Sequence, residues 1–230
     1  MRLEKASLKA VKYACMNFHY AKRVPVNFIA YSVFNDKNEW CGVVVFGAGI
    51  MGIEKPYKLT KGTVYELVRV ALNGKQRVTT KAVSMAIRLF KRSSPLCKLL
   101  VSYADSDQGH NGTIYQAMNW TFTGSKITCC KWTDKTGKEI HDRRVDKKGF
   151  KIEFGKKVKC AKPEDLIRHE TGVKHKYIYP LDKALIPMCK ALAKPYPKKE
   201  QHAALAHKGE QPDTNREGAF DSTVPLQFIP

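Results

Sequence analysis

Leu8, Val11, Cys15 and Phe18 recur at spacings of three, four and three residues, which predicts an amphipathic helix over 7–18 ending at Phe18-His19-Tyr20. Two β-rich runs, 26–34 and 39–46, are joined by Asn35-Asp36-Lys37-Asn38, a turn composition that predicts a hairpin. After a glycine-rich loop and an aperiodic, unstructured stretch at 54–62, the apolar run 64–72 reads as a buried strand, broken by Asn73-Gly74. Val83, Ala86, Ile87 and Phe90 then share one side of a helix that Ser93-Ser94-Pro95 stops. A strand at 98–103, a short helix at 113–118 and a strand at 120–123 follow.

From 126 to 176 the pattern changes to short strands and turns, with 16 Lys/Arg against 8 Asp/Glu. Lys162-Pro163-Glu164-Asp165 opens a short helix, with proline in its first turn and acids near its positive end. A last strand is expected at 176–180 and a last helix at 182–194, interrupted at Pro187. Residues 201–230 have no periodicity and read as a poorly ordered tail. No internal repeat is visible.

Charge sharpens this division. The chain carries +20 in total, the tail is net −2, and residues 1–200 therefore carry +22. A body so basic should attract polyanions through phosphate contacts and counterion release. Charge alone does not separate DNA from RNA or from an acidic protein. With 43% hydrophobic and 10% aromatic residues the chain has enough apolar surface for a core, which excludes disorder for the whole. No apolar run approaches the ~18 residues of a membrane span, and Met1-Arg2-Leu3-Glu4-Lys5 does not open a signal peptide. The expectation is a soluble, cytoplasmic protein with no membrane partner. Its seven cysteines include no C-x-x-C and read as reduced, buried thiols. For the adjacent pair Cys129-Cys130, one thiol in the core and one outside is the expected arrangement.

Gly47-Ala48-Gly49-Ile50-Met51-Gly52 is a formal G-x-G-x-x-G after a strand, but Lys55-Pro56-Tyr57 follows where a helix should begin, so a loop is expected. Phe46-Gly47-Ala48-Gly49 resembles part of an S-adenosylmethionine site, yet Val44 stands where an Asp is usual. His169-Glu170 lacks the spacing and the cysteines of a zinc deaminase.

The order strand, loop, helix, strand, polar loop, short helix, strand over 66–124 resembles the core of the GNAT acyltransferase superfamily. That resemblance implies a mixed α+β fold, a twisted central sheet flanked by helices, here with a basic C-terminal β-rich extension. It also implies a donor site after the fourth strand, carried over to Leu72, Gly74, Gln76, Arg77, Thr79 and Thr80. This loop lacks the superfamily's two glycines, so backbone approaches a pyrophosphate less closely.

A narrower resemblance rests on Phe18-His19-Tyr20-Ala21-Lys22, Cys41-Gly42-Val43-Val44-Val45-Phe46-Gly47, Glu66-Leu67-Val68-Arg69-Val70-Ala71-Leu72, Ser102-Tyr103-Ala104-Asp105-Ser106-Asp107-Gln108-Gly109-His110 and Ile114-Tyr115-Gln116-Ala117-Met118-Asn119-Trp120. These motifs resemble the Mom DNA-modification proteins of Mu-like phages over about residues 3–125, and His175-Lys176-Tyr177-Ile178-Tyr179-Pro180 extends the match. The resemblance implies conversion of adenine in double-stranded DNA to N6-carbamoylmethyladenine, which protects phage DNA from host restriction. It places functional residues at His19, Tyr20, Asp105 and Tyr115 and implies a link to iron. The donor it leaves open is an activated glycine such as glycyl-tRNA, or an acetyl-CoA-like thioester. Other readings fit single residues: a cap and a core aromatic for His19 and Tyr20, a helix cap for Asp105, packing for Tyr115. Trp120 is expected in the core and Tyr20 as a stacking surface. The organisation expected is a catalytic core over 1–125, a basic extension over 126–200 that completes the fold and contacts DNA, and the tail. A coenzyme A-dependent N-acetyltransferase acting on another substrate, and a non-catalytic basic nucleic-acid-binding protein, are the rival functions.

Overall fold

The computed structural model describes residues 1–126, 131–169 and 172–197. Its first element, β1 (Arg2–Lys5), was not marked by the hydrophobic pattern. Leu3 is the one apolar residue among four, so no alternation shows, and the strand exists because β2 (Phe28–Phe34) pairs with it, Leu3 opposite Val33. Between them lies α1 (Leu8–Asn17). Ser7 caps it by accepting from the Ala10 N–H at 3.2 Å, and its apolar spacing buries Val11, Ala14 and Cys15. β2 and β3 (Trp40–Gly47) form the expected hairpin, where Asn35 Oδ1 accepts from the Lys37 and Glu39 N–H groups at 3.0 Å each. From Cys41 onward β3 is buried at every residue, as an unalternating apolar run in mid-sheet requires.

β4 (Val64–Leu72) covers the run read as a buried strand. α2 (Thr79–Ser93) buries Ala82, Val83, Ala86, Ile87 and Phe90, and Phe90 stacks on Phe46 of β3 at 4.3 Å. β5 (Leu99–Asp105), α3 (Thr113–Ala117) and β6 (Thr121–Lys126) follow. The basic stretch contributes β7 (Lys131–Thr133), β8 (Glu139–Ile140), β9 (Phe150–Glu153), β10 (Lys156–Lys159) and β11 (Ile167–His169). β7, β8 and β11 make a three-stranded sheet, while β9 and β10 make a separate hairpin. β12 (Lys174–Pro180) then returns to the main sheet, whose order is β1-β2-β3-β4-β5-β12-β6. β4 and β5 are parallel and the other neighbours antiparallel. The fold is thus mixed α/β, with a large and mostly antiparallel central sheet flanked by helices.

Three local expectations need correction. Residues 182–194 are not one helix: Asp182 caps a 3₁₀ turn at Lys183–Leu185, and α4 (Ile186–Ala191) starts afresh with Pro187 in its first turn, where proline's missing N–H costs nothing. The stretch 54–62 contains a 3₁₀ turn at Lys55–Tyr57 that buries Tyr57 with Val64, Leu99, Val101 and Ile178. The segment opened by Lys162 is one 3₁₀ turn, Pro163–Asp165. The glycine-rich loop after β3 leads into turns and that first 3₁₀ turn, without an α-helix, as a plain loop should. Trp120 is fully buried, and Cys15, Cys41, Cys97, Cys160 and Cys189 are buried free thiols. Cys129-Cys130 and the 201–230 tail lie outside the described residues. Among those described, no helix is long and apolar enough to cross a membrane.

Candidate active site

β4 and β5 pair through only three positions, Val64–Leu99, Tyr65–Leu100 and Glu66–Val101, after which the two strands part. The parting coincides with a bulge in β4: Val45 opposes Arg69 while Phe46 opposes Leu67, leaving Val68 as the extra residue. At the same level Ser102 Oγ donates to the Leu67 carbonyl at 2.8 Å. The Tyr115 and Ser102 hydroxyls share a hydrogen bond of 2.7 Å. Serine's one proton serves either the Leu67 carbonyl or the Tyr115 hydroxyl at a time. The Tyr115 ring packs on Trp120 and Tyr177, each 5.1 Å away, so the packing expected of it and an exact placement of its hydroxyl go together. Burial pushes its pKa up to about 12, helped by Tyr20 and Glu66 and opposed by the Ser102 hydrogen bond.

Asp105 closes β5. It is buried, its Oδ1 accepts from the Asp107 N–H at 3.2 Å, and its Oδ2 is ion-paired with Lys174, the residue opposite it in β12. The cap and an anchored carboxylate are therefore both present. His19 and Tyr20 follow α1, their rings 4.3 Å apart, and the Tyr20 ring also lies 5.6 Å from that of His110, which groups three rings. Tyr20 is 45% exposed, enough to offer a face. Its phenol is raised by burial and by Asp105, against Lys174 and Arg69, which ties the rings electrostatically to the end of β5.

Burial, then Arg69, His110 and Lys22, pull the His19 pKa down to about 4. Its Nδ1 accepts from the Ala21 N–H at 3.1 Å, so the neutral ring carries its proton on Nε2. Unfolded chain, with a histidine near 6.5, takes up this proton first as pH falls, so the folded state loses stability between pH ~6.5 and ~4. Allowing for partial exposure, thermal melts should show ~1–2 kcal/mol of acid sensitivity in that window that is absent from His19→Gln.

The six donor-site residues lie where β4 hands over to α2. Gln76 is buried. Its Nε2 donates to Thr79 Oγ1 at 2.9 Å, while its Oε1 has no partner. Val78 makes no side-chain cap hydrogen bond at the start of α2, and Lys75, Arg77 and Lys81 are its basic neighbours in sequence. Gly74, at φ +90°, has open space around it and Arg77 takes φ +61°, in the loop that runs from Leu72 to Thr79 and Thr80. The described residues offer no set of three His, Cys, Asp or Glu side chains that could hold iron.

The structure thus groups His19, Tyr20, Asp105 and Tyr115, and adds residues that sequence reasoning passed over. Glu66, whose carboxyl is raised by burial against the pull of Arg69, and Arg69, whose Nε is buried without a partner, are charges inside an apolar strand, a signal that was readable. Ser102 and His110 open and close the stretch that carries Asp105, where sequence alone gives them no role. Lys174 is visible only through the β5–β12 register.

No curated protein matches the chain. Among solved structures it is similar to a Bacillus subtilis acetyltransferase in complex with CoA, at 14% identity over 78% of this chain and 98% of that one, with a TM-score of 0.44. A GNAT family acetyltransferase from Elizabethkingia anophelis with acetyl-CoA bound gives 12% identity, 78% and 97% coverage and a TM-score of 0.44. Arabidopsis thaliana NAA60 in complex with acetyl-CoA gives 10%, 78% and 98%, and 0.43. Likeness at this level says nothing about chemistry. The match that does decide membership spans all of the central sheet and both small β units: residues 1–198 fit the Mom protein family, and the chain belongs to it.

Proposed function

We propose that the protein is a DNA-modifying transferase that acts on N6 of adenine and leaves a carbamoylmethyl group there. Family membership supports DNA modification by group transfer. The observation that carries the finer reading is the grouping of a ring ledge (His19, Tyr20, His110), an anchored carboxylate (Asp105 on Lys174) and a protonated phenol (Tyr115) beside the parting of β4 and β5. Adenine in a duplex is stacked and paired through N6, so a base acted on there must be extruded, and an aromatic ledge replaces its lost stacking.

Asp105 accepts a hydrogen bond from the exocyclic amine, orienting its lone pair and passing its proton to solvent as the new N–C bond forms. An activated glycine such as glycyl-tRNA supplies the carbonyl and the leaving oxygen. Tyr115 holds its proton at neutral pH and gives it to that oxygen as the C–O bond breaks. Ser102 then turns its own proton from Leu67 to the phenolate. The glycyl amine attacks C6 through a five-membered ring, and the original N6 departs from C6 to become the amide nitrogen, so the product is an isomer of the first adduct. The uncapped start of α2, with Lys75, Arg77 and Lys81, suits the donor's phosphates.

The same uncapped helix start also favours a second reading, a coenzyme A-dependent acetyltransferase. Intact-nucleoside mass spectrometry of DNA from cells expressing the protein decides between them. A carbamoylmethyl mass on deoxyadenosine is expected. Unmodified DNA, with acetylation appearing on another substrate, would establish the rival.

A further inference from the structure

Phe154 has no contact that explains it. It is 103% exposed, more than any other large apolar side chain described, at the tip of the β9–β10 hairpin. The strands pair Glu153 with Lys156 and Ile152 with Lys157, leaving a two-residue turn of Phe154 (φ +50°) and Gly155 (φ +75°). Positive φ at both positions is the turn that favours Asn-Gly, and a bulky aromatic in its first place works against the local fold. The hairpin's other phenylalanine, Phe150 at the start of β9, is treated differently, since Lys157 Nζ sits 4.0 Å from its ring centre.

The surroundings are strongly basic. Residues 147–162 hold seven lysines against one glutamate, and that Glu153 is already engaged by Lys151 at 2.9 Å. Lys156, Lys157 and Lys159 are exposed along the hairpin. A bare apolar tip flanked by such charge suits a polyanion whose interior is apolar, which describes stacked base pairs between phosphate chains. The hairpin is also tied to the site. Lys151 donates to the Arg143 carbonyl, Trp132 Nε1 donates to Asp142 Oδ1 at 3.0 Å, and Lys131 pairs at 3.5 Å with Asp107, two residues from Asp105.

We propose that Phe154 is an intercalating wedge: the hairpin's lysines bind phosphates of duplex DNA and the phenyl ring enters between base steps, kinking the duplex and easing extrusion of a base. This rests on DNA being the substrate. No covalent step is involved.

The test uses the full chain and a labelled duplex, with affinity read by anisotropy across salt and kinking by energy transfer between the duplex ends. Phe154→Ala should weaken binding about tenfold and abolish the kink, yet keep the slope of log affinity against log salt, because no phosphate contact is lost. Phe154→Asn suits the turn better than phenylalanine does, so it should raise or hold hairpin stability and still lose the kink. A purely structural Phe154 predicts the reverse. Phe154→Trp should restore kinking, with emission quenched on binding relative to wild type. A Lys156→Ala, Lys157→Ala double variant should lower the slope by about 2. If Phe154→Ala and Phe154→Asn kink DNA as wild type does while modification continues, the wedge is overturned and the DNA reading stands. Wild-type protein that neither binds nor modifies DNA overturns both. Loss confined to binding of anionic phospholipid vesicles assigns the tip to a membrane surface and overturns the wedge as well.

Discussion

Asp105→Ala and Tyr115→Phe are each expected to lower adenine modification by ~10²–10⁴-fold, the range that one general acid or base contributes. The two changes differ in what else they disturb. Asp105→Ala removes a cap and leaves Lys174 without its carboxylate at a site that is only partly exposed, so ~1–2 kcal/mol of stability should go with it. Asp105→Asn keeps the cap acceptor and the shape while losing the charge; equal inactivity with wild-type melting isolates the carboxylate. Tyr115→Phe keeps the ring between Trp120 and Tyr177 and leaves Ser102 bonded to Leu67, so stability should fall by only ~1 kcal/mol. Single-turnover mass spectrometry, thermal melts and duplex anisotropy on the same preparations separate these effects. A Tyr115→Phe enzyme working at the wild-type rate would reduce Tyr115 to packing. Because its pKa is pushed up to about 12, the wild-type rate should show no alkaline fall from Tyr115 below pH ~10.

Duplex affinity should fall by ~10³-fold or more between 50 and 200 mM salt, the loss typical of six or more phosphate contacts. The cations are present in excess: residues 126–176 supply 16 Lys/Arg, and the described part of this stretch forms small sheets with exposed lysines that abut the Asp105–His110 loop through Lys131 and Asp107. Removing 201–230, net −2, should leave affinity and salt slope unchanged. A flat salt response would mean that the charge serves solubility and that base contacts alone hold the DNA.

The main sheet was largely legible because its signals are local. The helix at Leu8–Asn17 has a 3.6-residue rhythm and a serine cap, and Val64–Leu72 is an apolar run bounded by turns. β1 was not legible, since four residues with one apolar side chain become a strand only when β2 is there to pair with. The separate turn and helix at Lys183–Leu185 and Ile186–Ala191 escaped notice because Asp182 and Pro187 each begin an element, and periodicity alone does not show two starts. At the site, motif resemblance pointed to His19, Tyr20, Asp105 and Tyr115, but what holds them is non-local. Ser102 reaches Tyr115 by folding, and Lys174 reaches Asp105 across 69 residues of sequence. Glu66 and Arg69 were the exception, charged residues in a buried strand that composition alone could have flagged.

The insertion of β12 between β5 and β6 has a consequence for how the protein is made. While the ribosome has released only the first 126 residues, β5 presents an unpaired edge and β6 has no partner in the main sheet, and the one parallel pairing already costs a long loop closure. β12 fills the place between β5 and β6, and Lys174 arrives beside Asp105, only once the basic segment has emerged and folded back. Nascent chains stalled before that point are therefore expected to expose strand edges and to lack the lysine that anchors Asp105, so the completion of the central sheet and of the Asp105–Lys174 pair is one event in synthesis.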